Sequence, residues 1–144
     1  MSEPRLSFTN IAHPAPHRQR VGMLALGFGI VGAPLAWNIE LLAGTALSGQ
    51  QCFPRYLPLA VPLWTGTWGF LLAMSLLAIV IGIAAGLVAW RSWRRTHDER
   101  PGSVHGGEGR TRFMAMCGLL CSGLFLVALV FTLAAILLVP LCSG

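Results

Sequence analysis

Three long apolar stretches, Val21 to Leu47, Leu63 to Trp90 and Phe113 to Leu141, constrain this chain more than any other feature. Each exceeds the ~20 residues a helix needs to cross ~30 Å of hydrocarbon, so each can span a bilayer with some tilt. Inside lipid no water satisfies the backbone, and runs this long and continuous are too uniformly apolar for barrel strands, so each must be helical. The expected fold is all-α: an integral membrane protein with three transmembrane helices. Only 10% of the residues are charged, against roughly 25% in soluble domains. The apolar residues are also gathered in blocks and not spread at amphipathic spacing, which argues against a water-soluble domain. The expected organisation is an arm over 1–20, spans over 21–47, 63–90 and 113–141, connections over 48–62 and 91–112, and a tail over 142–144. A cleaved signal peptide is the competing reading of the first stretch, with Arg18 and Arg20 ahead of it and a cut near Ala43 to Ala46. The stretch is longer than the ~7–15 residues of a signal core, and no clear small-x-small site closes it.

The formal net charge is +5, and all ten basic residues are arginine. Arg5, Arg18 and Arg20 precede the first span; Arg91, Arg94, Arg95, Arg100, Arg110 and Arg112 lie between the second and third; Arg55 stands alone in the first connection. By the positive-inside rule the expected orientation is N-terminus in the cytoplasm, C-terminus outside. No soluble fold is available to display a polyanion-binding patch, so no nucleic-acid partner is expected. Membrane lipids are the expected counter-charges: Trp90, Arg91, Trp93, Arg94 and Arg95 read as an interfacial anchor, with rings at headgroup level and guanidiniums among the phosphates.

In this orientation Cys52 and Cys142 both fall on the outer, oxidising side. A disulfide between them would close a loop of about ninety residues and contribute about 4 to 5 kcal/mol by chain entropy. Two unpaired thiols, or thiols against a partner chain, are the alternative. The 48–62 connection has Pro54, Pro58 and Pro62 at every fourth position, which excludes a continuous helix. Its Phe53, Tyr56, Leu57, Leu59 and Val61 are too apolar for a solvated loop. They are expected to lie on the membrane surface, on the chain's own helices or against another protein.

In the first span Gly22, Gly29, Ala33, Ala36 and Glu40 recur at helical spacing. They form a face of small residues for packing or for a partner. Pro34 removes one backbone bond there and frees a carbonyl one turn earlier for a neighbouring side chain. Glu40 is the sole acidic residue in the three stretches and therefore a functional candidate. Equally, it can sit hydrated near the outer headgroups, bonded to Asn38, Gln50, Gln51 or Arg55. Ser75, Gly82, Ala84, Ala85 and Gly86 in the second span are explained by helix packing. In the third, Cys117 and Cys121 share a face at i and i+4. They are weak candidates for copper, but without a third ligand small-residue packing accounts for them better. His13 and His17 in the arm likewise lack a third ligand.

Further classes are excluded by what is missing. All four histidines, His13, His17, His97 and His105, lie outside the spans, so a haem subunit is not expected, nor any other cofactor. Gly106 to Arg110 has neither the spacing nor the helical context of a nucleotide loop. No nucleophile is paired with a base, and no two carboxylates share a depth, so the chain reads as a non-enzyme. One copy also lacks the repeats and intramembrane polar groups of an alternating-access transporter.

The set Gly32-Ala33-Pro34-Leu35-Ala36-Trp37, Cys52-Phe53-Pro54, Trp90-Arg91-Ser92-Trp93-Arg94-Arg95, Gly107-Glu108-Gly109-Arg110-Thr111-Arg112-Phe113 and Val139-Pro140-Leu141-Cys142 resembles a family of small bacterial three-helix membrane proteins. The likeness runs over nearly the whole chain. It implies a place in the bacterial inner membrane beside respiratory cytochrome oxidase components, as an accessory or assembly subunit that binds other integral-membrane subunits. It supplies no catalytic residue. A self-assembling small channel or transporter using Glu40, and a copper-handling assembly factor using Cys117 and Cys121, are the alternatives.

Overall fold

The computed structural model describes residues 22–96 and 108–142. Three helices, α1 (Met23–Cys52), α2 (Thr67–Thr96) and α3 (Glu108–Leu138), form an up-down-up bundle. Within them Met23–Cys52, Thr67–Arg95 and Arg112–Leu138 are long and apolar enough to cross a membrane. The arm over 1–20, with His13 and His17, lies outside the described residues, as do His97 and His105.

Helix ends differ from the expected spans. α1 continues through Ser48 to Cys52, five residues past the expected boundary, because the next proline after Pro34 is Pro54. A residue before proline is driven out of the helical region, and Phe53 accordingly leaves it at φ −129°, ψ 52°. A short 3₁₀ turn over Pro54–Tyr56 follows, with Arg55 left-handed at φ 56°. α2 begins at Thr67 and not Leu63. Its first turn is tied by Thr67 Oγ1 donating to the Trp64 carbonyl at 2.7 Å. It continues past Trp90 through Arg94 and Arg95, since nothing there breaks a helix. α3 begins at Glu108, ahead of the apolar stretch that starts at Phe113.

The bundle is inverted relative to a soluble core. Most of its buried residues are small, among them Gly29, Gly32, Ala33 and Ala36 on α1, Ala78, Ala85 and Ala89 on α2, and Ala115 and Ser122 on α3. Its large apolar side chains, such as Leu24, Phe131 and Leu138, point outward. Water would penalise that surface and lipid does not, while small residues bring the backbones close. On α2 the buried positions Leu71, Ser75, Ala78, Gly82, Ala85, Ala89 and Ser92 alternate steps of four and three. This is the seam of left-handed, coiled-coil-like packing. A Cβ on Gly29 would sit 3.2 Å from Ala89 Cβ, and one on Gly118 would sit 3.3 Å from the Gly29 carbonyl. Midway, Ala36, Ala78 and Leu129 form the core, with Trp37 and Leu126 against them. Trp37 also meets Phe125 at 5.5 Å between centroids.

Candidate functional site

Toward the end where α1 and α3 terminate, the small-residue seam gives way to larger side chains and the bundle opens. A partly open cleft of about 310 Å³ lies there, with Glu40 and Gly44 from α1, Leu71 and Met74 from α2, and Ile136 and Leu141 from α3 and its tail among its walls. Glu40 is 5% exposed and Ser75, the polar group beside it, is fully buried. Neither carboxylate oxygen of Glu40 makes a hydrogen bond, and nor does Ser75 Oγ. The two groups are neighbours across the α1/α2 seam.

Glu40 is enclosed by its own bundle. Because α1 runs to Cys52, Glu40 lies twelve residues inside its end, about 18 Å along the axis. The expected partners are turned elsewhere. Asn38 donates to the Pro34 carbonyl at 2.9 Å, and Gln51 Oε1 accepts the Trp64 backbone N–H at 2.9 Å. The side chain that reaches α1 near the proline bonds a different carbonyl from the one the sequence pointed to. Ser122 Oγ on α3 donates to the Gly29 carbonyl at 2.9 Å, and not to that of Ile30, which Pro34 deprives of its helical donor.

Gly29, Ala33, Ala36 and Glu40 turn into the chain's own bundle, so this face is taken up by α2 and α3 and is not open to another subunit. Gly22 is exposed, with nothing near where its Cβ would be. Cys52 and Cys142 meet at disulfide distance, Cα atoms 5.4 Å apart, joining the end of α1 to the tail after α3. Leu59 N donates to the Cys52 carbonyl at 2.8 Å and Leu63 N to the Gln51 carbonyl at 3.3 Å, so the connection folds back over the end of α1. At the opposite end the Trp90 and Trp93 rings meet at a tilt of 53° with centroids 5.8 Å apart, and Arg91, Arg94 and Arg95 are exposed. Cys117 and Cys121 are half-buried free thiols on α3, and among the described residues no cluster of three or more potential metal ligands occurs.

Ser75 and Ser122 carry polar roles that composition alone does not mark. The alternating four-and-three spacing of small residues on α2 is the signal that places Ser75 on the inner seam. No protein-family model, curated protein or solved structure matches this chain.

Proposed function

We propose that this protein is a non-catalytic accessory or assembly subunit of a larger membrane complex, held in the bacterial inner membrane with its N-terminus in the cytoplasm and its C-terminus outside. The observation that carries this reading is the connection between α1 and α2. Phe53, Leu57, Val61 and Leu63 are 56–68% exposed there, on a segment held to the end of α1 by backbone bonds. α1 is about 45 Å long against a hydrocarbon core of about 30 Å, so this apolar segment stands at or above the headgroups. A pre-shaped apolar surface at that level gains most from being covered by another protein, with little ordering cost on binding.

The sidedness follows from the arginine distribution, which sets the Trp90 to Arg95 anchor on the cytoplasmic leaflet and exposes Cys52 and Cys142 to oxidation. The respiratory setting rests on the sequence resemblance to proteins that accompany cytochrome oxidase components. Glu40 faces the interior of its own bundle, which weighs against a pore lined by Glu40 from several copies.

Purification in a mild detergent, with identification of the chains that co-purify in fixed ratio, tests the reading. The expected outcome is one or more larger membrane subunits with the wild type, lost with a Leu57→Glu, Val61→Glu double variant that still folds. A protein that migrates alone or only with itself overturns it.

A further inference from the structure

Asn38 stands at the middle of α1, which runs from Met23 to Cys52. The helix is about 45 Å long and the hydrocarbon about 30 Å thick, so a midpoint residue lies within the hydrocarbon wherever along the membrane normal the helix sits. Ala36 and Glu40, two residues to either side, are buried in the chain's own bundle. At about 100° per residue, position 38 therefore faces away from α2 and α3, and Asn38 is exposed. Among the described residues its amide makes one hydrogen bond, Nδ2 donating to the Pro34 carbonyl at 2.9 Å. The second N–H and the Oδ1 acceptor are left to the lipid, which satisfies neither.

The residues above and below it form a seam. Phe28, Val31, Leu35, Asn38, Leu42 and Thr45 are all exposed and follow one another at alternating steps of three and four, the spacing of a coiled-coil contact. The inner seam of α2 uses the same alternation within the bundle. On the outer face of α1 it meets no other helix of the chain.

We propose that this face pairs with α1 of a second copy of the chain, the two helices parallel and Asn38 bonded to Asn38 at the two-fold axis. Two features select a second copy over a different protein. All copies enter the bilayer with one sidedness, so two α1 helices placed face to face run parallel, with Asn38 at one depth. The amide is both donor and acceptor, so across a two-fold axis each Asn38 gives the other its free N–H and receives one in return. A single polar residue on such a seam also fixes the register. The flanking leucines add little preference of their own, since lipid is as apolar as they are. The pairing surface is separate from the apolar connection over 53–63.

Energy transfer between full-length copies labelled at the N-terminus with donor or acceptor, in phosphatidylcholine liposomes diluted with lipid, tests it. The wild type is expected to give an isotherm for two copies. Asn38→Leu should raise the dissociation constant at least about tenfold, and Asn38→Gln, which keeps a self-complementary amide, should hold it within about threefold. Oxidative cross-linking reads the same contact without altering Asn38. In a Cys117→Ala, Cys121→Ala background, Leu42→Cys should cross-link between copies, and Ile83→Cys, on the exposed face of α2, should not. Wild-type transfer at the level of random encounter overturns the proposal, and that is the outcome if Asn38 meets a different membrane protein or lipid alone. Pairing undiminished in Asn38→Leu overturns it too, as does equal cross-linking by the two cysteine variants. A chain that pairs with itself but co-purifies with no larger subunit upholds this proposal and removes the accessory-subunit reading.

Discussion

At the Gly29 carbonyl, α1 and α3 approach so closely that the Ser122 hydroxyl reaches across at 2.9 Å. Hydrogen bonds between membrane helices contribute about 0.6 kcal/mol on average and up to about 1.7. Gly29 also keeps its place in the helical ladder, so Ser122→Ala should cost toward the lower figure, measured by steric trapping or detergent titration of unfolding. Glu40 presents the reverse case. Replacing a buried, unpaired carboxyl with an apolar side chain of similar size removes a desolvation cost, so Glu40→Leu should stabilise the protein by about 1–3 kcal/mol. A loss of stability in that variant would mean that Glu40 has a partner in the free protein. The sequence marks Glu40 as singular, but its environment depends on where α1 ends, five residues beyond the apolar stretch. No count of apolar residues contains that information.

At the scale of the element, glycine position decides between packing and tolerance. On α3, a Cβ at Gly118 would meet the Gly29 backbone carbonyl at 3.3 Å, while one at Gly123 would meet nothing within 4 Å. Backbone does not yield as a side-chain tip does, so Gly118→Ala should force α1 and α3 apart and cost about 1–3 kcal/mol. Gly123→Ala should be neutral or stabilising by up to about 1 kcal/mol, since alanine is the better helix former. The ratio of the two unfolding free energies checks this, and equal effects would mean the α1/α3 seam is looser than described. Both glycines are visible in the sequence as small residues on an apolar helix. What separates them is the rotation of α3 about its own axis, set by its neighbours.

For the whole molecule, the Cys52–Cys142 junction ties the end of α1 to the tail after α3 at one end of the bundle, 90 residues apart in sequence. Loop-closure entropy assigns such a bridge about 4 to 5 kcal/mol. The spans stay helical and inserted in the membrane-unfolded state, which shortens the flexible loop. Cys52→Ser should therefore lower stability by about 2–4 kcal/mol, less than the free-chain figure. Unchanged stability under non-reducing conditions would show that the pair is not bridged. The proposed sidedness makes a separate prediction. In spheroplasts, an impermeant maleimide should label Cys142 after reduction but leave a cysteine at Ser103→Cys unlabelled, and the opposite pattern would reverse the orientation.

The sequence by itself determined that the chain crosses a bilayer as three helices, because continuous apolarity is a local property and lipid permits no other backbone arrangement at that length. It also marked the small residues that would let the helices approach closely. Only the tertiary structure decided which small residues meet, that Ser122 bonds Gly29, and that Glu40 lies beside Ser75 over an apolar cleft. Those relations depend on the rotation, register and true ends of three helices packed together, and lipid, being equally apolar on every side, leaves all three quantities to shape complementarity alone.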